Sequence, residues 1–203
     1  MRTRTPQAGF STIELLVALG IAGIVAAMAM PSTSRTLADL RLRGDARGIH
    51  NSVGVAKMRA AARYSRERLY ADLTTNSYKI QYWDKSTSSW TDENPSSTRL
   101  SSGVRFGYGA LTTPPANTQA AIGQSSACMN NAGTSQISGT ACIVFNSRGI
   151  PVDSSGGPTG NSAFYVTDGT GTYGVTLSAT PLIRLWWTRA AAAQWIQIGR
   201  AHV

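Results

Sequence analysis

The chain has 203 residues, 42% of them hydrophobic and 14% charged, with 20 glycines. That apolar content excludes an intrinsically disordered chain, and the length suits one domain plus an extra element. Nineteen basic residues against 10 acidic give a formal charge of +9, whereas two Cys and two His exclude a four-ligand metal centre and a disulfide scaffold but leave room for one bridge.

The chain opens with a short polar stretch carrying Arg2 and Arg4 and no acid, closing on Gly9. Phe10-Ser11-Thr12-Ile13-Glu14 follows, and then sixteen residues, 15–30, without a polar side chain. Residues 10–30 would form roughly 31 Å of helix, enough to cross a hydrocarbon core of about 30 Å. Pro31 lies just beyond, where it can interrupt the helix without costing the span its hydrogen bonds. A secretory signal, with Ala27-Met28-Ala29 imitating a cleavage site, and a plain membrane anchor both suit the apolar run. Neither accounts for Glu14. A carboxylate inside an apolar span costs up to about 3 kcal/mol and is a functional candidate unless it snorkels to the headgroups. Arg2 and Arg4 ahead of the run favour an amino terminus inside and a translocated remainder.

Over 35–68 the pattern is helical: Leu42, Ala46, Ile49, Val53, Ala56, Ala60 and Tyr64 recur at steps of three and four. Gly44, Gly48 and Gly54 weaken this helix locally. The opposite face carries Arg41, Arg43, Arg47, Arg59, Arg63 and Arg66, and the segment holds nine basic residues against three acidic. That face is either solvated or a contact for acidic partners.

After Asp72 the character changes to strands: 78–83, a turn at 84–89 before Trp90, 104–108, 142–146, 163–167, 173–177, 182–187 and 195–198. Residues 111–139, rich in Pro, Asn, Ser, Thr and Gly, read as an excursion loop. The sum is an α+β architecture, one long amino-terminal helix packed on an antiparallel β head. His50 and His202 are too far apart in sequence to suggest a metal or acid–base pair. Gly156-Gly157-Pro158-Thr159-Gly160 lacks the Lys of a phosphate loop, and Asp168-Gly169-Thr170-Gly171 reads as a hairpin turn. No catalytic constellation, metal site or cofactor motif is visible.

Gly9-Phe10-Ser11-Thr12-Ile13-Glu14-Leu15-Leu16-Val17 resembles the signal of type IV pilins and type II secretion pseudopilins. The resemblance implies that a prepilin peptidase cuts between Gly9 and Phe10 and that Phe10 becomes N-methylated. It also implies that Glu14, the fifth mature residue, serves assembly by meeting the free amine of a neighbouring subunit. Ser11 and Thr12 are more polar than the usual pair. The expected organisation is a leader at 1–9, a transmembrane and filament-core helix at 10–31, an amphipathic continuation at 32–72 and a β-rich head at 73–203. The expected partners are the peptidase, other pilin or pseudopilin subunits, an inner-membrane assembly platform and, before assembly, membrane lipid. The expected place is the inner membrane with a periplasmic head, then a periplasmic pseudopilus or extracellular pilus.

The segment Ile143-Val144-Phe145-Asn146-Ser147-Arg148-Gly149 is similar to one in the GspH/FimT-type minor pilins. In a translocated head, Cys128 and Cys142, with thirteen residues between them, are expected to form a disulfide. The alternative, a free reactive thiol, lacks a basic neighbour in sequence. Some FimT-type proteins bind DNA through a Gly-Arg-x-Arg pattern. Here Pro181-Leu182-Ile183-Arg184 keeps only the last Arg, and Gly199-Arg200 is half a pattern. Arg184, Arg189 and Arg200 are therefore the candidate DNA contacts, in a carboxy-terminal part (73–203) with only eight basic residues against five acidic. A structural subunit is the favoured reading and DNA uptake the alternative.

Overall fold

The computed structural model describes residues 11–190 and 194–199, with the side chains of residues 27–33 outside the description. The chain falls into two units, Met1–Ala38 and Asp39–Val203, taken separately below. Helix α1 (Thr12–Ala62) contributes to both. Its first turn follows Ser11, whose carbonyl accepts the Leu15 N–H at 3.2 Å.

In the second unit the predicted stripe is the face that α1 buries. Leu42, Ala46, Ile49, Val53, Ala56 and Ala60 are each at most 1% exposed. Tyr64 departs from the stripe: it lies past the end of the helix and is 75% exposed. The helix stops in a left-handed turn at Tyr64 (φ 50°), with Ser65 N–H donating to the Ala60 carbonyl (3.2 Å) and Tyr64 N–H to the Ala61 carbonyl (3.4 Å). This pair of bonds satisfies carbonyls that a helix end would otherwise leave bare, and it is usually built on Gly at that position.

Eleven strands follow among the described residues: β1 (Glu67–Asp72), β2 (Ser77–Asp84), β3 (Ser89–Asp92), β4 (Thr98–Arg99), β5 (Arg105–Phe106), β6 (Thr140–Phe145), β7 (Pro151–Val152), β8 (Ser162–Thr167), β9 (Gly171–Leu177), β10 (Ile183–Arg189) and β11 (Ile196–Ile198). The helical continuation expected to 72 thus ends ten residues early, because 67–72 are the central strand of a sheet. β1, β3, β4 and β7 are strands that the sequence pattern does not signal.

The strands form two antiparallel sheets. One runs β3-β2-β1-β6-β7 with β4 also on β2; the other runs β11-β10-β9-β8-β5. The α1 stripe packs in one core with Leu69, Ala71, Ile143 and Phe145 of the first sheet and Phe164, Val166, Val175 and Leu177 of the second. Residues 111–139 hold no strand, only the isolated bridge Met129–Gln136, as their turn-rich composition predicts.

Candidate functional site: the amino-terminal helix

Apolar side chains cover the described first turns of α1 without a polar face, and none of them is packed away. Ile13, Leu15, Leu16, Val17, Leu19, Ile21, Ile24 and Val25 are 56–68% exposed. Eight large apolar groups on all sides of one helix form a contiguous apolar surface, which in a soluble protein marks a site of contact with protein or lipid. Among the described residues no helix is long and apolar enough to cross a membrane. The side chains that complete the apolar run in sequence, those of residues 27–30, lie outside the described residues.

Glu14 sits in the first turn of this helix, exposed among the apolar groups. A carboxylate there is favoured by the partial positive charge of the helix amino end. Its chemistry is that of an acceptor facing outward, available to a cation outside this chain. Gly9 and Phe10, the expected processing residues, lie outside the described residues, as do Arg200 and the side chain of Pro31.

Cys128 and Cys142 are joined, S–S 2.01 Å with Cα atoms 5.0 Å apart. The bridge ties the excursion loop to β6, and Cys128 N–H donates to Thr140 Oγ1 at 3.0 Å beside it. Closing a loop of about 15 residues contributes roughly 3 kcal/mol in the chain-entropy account.

Of the candidate DNA contacts, Arg184 and Arg189 are not brought together. On β10, Ile183 and Leu185 pack against the core with Trp187, whereas Trp186 turns to the other side and donates from Nε1 to Thr176 Oγ1 (2.8 Å). Alternation puts Arg184 on the Trp186 face and Arg189, exposed at the strand end, on the face of Trp187. Arg184 is accompanied by Asn117, Asn161 and Thr176. One rigid phosphate backbone cannot lie against both arginines of a strand when they face opposite sides of the sheet.

Two buried charges in β1 escaped the sequence reading. Glu67 is fully buried, and burial raises its carboxyl above the ordinary value although Arg63 and Arg59 pull it down. Arg63 Nη1 lies 3.3 Å from Glu67 Oε1, an ion pair without hydrogen-bond alignment, so both carboxylate oxygens lack a hydrogen bond. Arg59 and Arg63 also pair with Glu93, which anchors the end of α1 to the segment after β3. Arg68, 1% exposed, donates from Nε to Gln81 Oε1 and from Nη1 to the Met129 carbonyl, both at 2.7 Å. Its guanidinium carbon lies 4.1 Å from the centre of the Trp90 ring, and burial lowers its pKa to about 10. Arg68 thereby holds the excursion loop onto the outer face of the first sheet, next to the disulfide. The only signal in sequence is two adjacent charges, Glu67-Arg68, ahead of the apolar run Leu69-Tyr70-Ala71.

Residues 4–30 match the prokaryotic N-terminal methylation motif. No curated protein matches the chain. Among solved structures, the chain is similar to the minor pseudopilin EpsH from the Type 2 Secretion System of Vibrio cholerae, at 10% identity and a TM-score of 0.44, covering 75% of this chain and 99% of that one. The α+β arrangement itself stands on the strand pairings and the shared core described above.

Proposed function

We propose that this chain, whose amino terminus is of the type IV pilin-like class, is a minor pilin or pseudopilin: a structural subunit of a type IV pilus or type II secretion pseudopilus. The observation that carries the reading is a helix apolar on every side and exposed on every side, lying within the residues that match a methylation motif. In this reading the leader 1–9 is removed after Gly9, Phe10 is methylated, and residues 10–31 leave the inner membrane to pack against identical helices at a filament axis. Glu14 then meets the free amine of a neighbour's Phe10. The pairing matters because an unpaired carboxylate withdrawn from water costs several kcal/mol, and an opposite charge at hydrogen-bond distance offsets it.

The head is periplasmic, the compartment in which the Cys128–Cys142 bridge persists. The role is structural, and the chemistry at Gly9 and Phe10 is done to this chain by a prepilin peptidase. Its further partners are other subunits and an inner-membrane assembly platform. Direct DNA uptake has less support, since Arg184 and Arg189 face opposite sides of one sheet.

The test is Glu14→Val, expressed in a strain that assembles the filament. Membrane fractionation should find the variant inserted at the wild-type level, while its amount in sheared filaments falls at least about tenfold, the equivalent of about 1.4 kcal/mol per subunit contact. Equal incorporation of the variant would sink the charge-pairing argument.

A further inference from the structure

We propose that the cleft between α1 and the edge of the second sheet is a docking site for an acidic, extended segment of a partner protein. The cleft has a volume of about 420 Å³ and is lined by Arg47 and His50 of α1 and by Ile183, Arg184, Leu185 and Ile198 of β10 and β11. All of these belong to the second unit. The inference goes beyond the filament reading and does not depend on it.

Charge is the first argument. The basic face of α1 divides in two. On its carboxy-terminal half and in the residues just past its end, Arg59 and Arg63 pair with Glu67 and Glu93, Lys57 donates to the Pro181 carbonyl at 3.0 Å, and Arg66 stacks 4.4 Å from the centre of the Trp83 ring. Those cations are answered within the molecule. On the amino-terminal half, Arg43 and Arg47 make no ion pair or hydrogen bond among the described residues. They lie one turn apart, and Arg47 lines the cleft. Neither β10 nor β11 carries an acidic residue, and no carboxylate lines the cleft. A carboxylate entering there would gain charge-assisted hydrogen bonds from a planar guanidinium and give up no pairing already made.

Geometry is the second. β11 is the terminal strand of its sheet and pairs only with β10 among the described residues. Its outer side therefore offers unpaired backbone groups, the usual template for adding a strand. The floor beneath is apolar: Ile198 and Leu185 are register partners, and Ile196 is 44% exposed. An extended segment laid along β11 would place alternate side chains on that floor while an acid reaches Arg47. A nucleic acid fits less well, because backbone donors and acceptors in a row match a peptide, whereas the cleft holds only two arginines, Arg47 and Arg184.

The experiment uses the full chain in detergent micelles and a fluorescein-labelled peptide of about ten residues alternating Glu and Thr, read by fluorescence anisotropy. A Lys–Thr counterpart and single-stranded and duplex oligonucleotides serve as competing probes. The acidic peptide should bind, the basic one should not, and Arg47→Ala should weaken binding about tenfold, the loss of one charge-assisted contact. Arg41→Ala, outside the cleft, should leave it unchanged. Hydrogen exchange at residues 196–198 should slow when the peptide is bound. Failure of the acidic peptide to bind, indifference to Arg47→Ala, or unchanged exchange along β11 would each overturn the proposal. Tighter, Arg47-dependent binding of an oligonucleotide would also overturn it and make the cleft a nucleic-acid site.

Discussion

The two parts of α1 obey the same backbone geometry and meet opposite surroundings. In the first unit Ile21 is 59% exposed, and so, within about ten percentage points, are its apolar neighbours on every side; in the second unit Ile49 is 0% exposed. The difference lies in how apolar residues are spread around the circumference. Residues 42–60 carry them at steps of three and four, leaving a face for arginines, so one chain can bury the stripe against its own sheets. Residues 15–26 carry them everywhere, and a single sheet face cannot cover a full cylinder. Surroundings that enclose it on all sides, such as lipid or several other helices, can. The lesson is that an all-round apolar helix specifies an environment outside the chain, whereas a striped one specifies a core within it.

Truncating one isoleucine in each part sharpens this contrast most. Ile49→Ala should lower the unfolding free energy by about 2–5 kcal/mol, as expected for a large-to-small change in a closed core. Ile21→Ala should leave the denaturant midpoint of the second unit unchanged. Tryptophan fluorescence during denaturant titration reads both, and equal losses would erase the distinction between the two regions.

A smaller effect is expected where the buried stripe ends. Tyr64 adopts a left-handed conformation with its side chain in solvent, so Tyr64→Gly removes backbone strain and no packing. The variant should be more stable by about 1 kcal/mol, less whatever the added glycine freedom costs the unfolded chain. Destabilisation by the same amount would mean that the helix terminus is held by contacts of the tyrosine ring instead.

The smallest effect concerns the charges that close the second region. Burial raises the Glu67 carboxyl, so folding favours its protonated form. Its contribution is full below the ordinary value of 4.5 and is lost as pH rises through the raised one. Wild type should therefore lose stability relative to Glu67→Gln as pH climbs above about 4.5. Parallel pH profiles for the two proteins would show that Arg59 and Arg63 fully compensate the burial.

These tests also mark where sequence was readable. The α1 stripe from Leu42 to Ala60 was visible because a period near 3.6 needs no knowledge of its partner. β2, β6, β8 and β9 were visible for a similar reason, as runs rich in β-branched and aromatic residues bounded by turn signals. β1 was not. Its Glu67 and Arg68 look like one more helical turn of a basic segment, and the stop before them rests on Tyr64, a residue with no preference for ending helices. The two-residue strands β4 and β7 are too short to show alternation, and β7 opens on Pro151. At the site, Glu14 stood out as an acid in an apolar run. The division of the arginines into answered and unanswered groups did not, because Glu93 reaches Arg59 and Arg63 from 30 and more residues away. Long-range pairing of that kind leaves no local pattern.

The account turns on whether the exposed apolar helix is a processed, assembling terminus. Intact-mass and amino-terminal peptide mass spectrometry of the chain recovered from the membrane measures this directly. The predicted result is a mature protein that begins at N-methylated Phe10, with Gly9→Val leaving only the uncut form. A mature terminus after Ala29, or an uncut chain in a strain with an active prepilin peptidase, would contradict it.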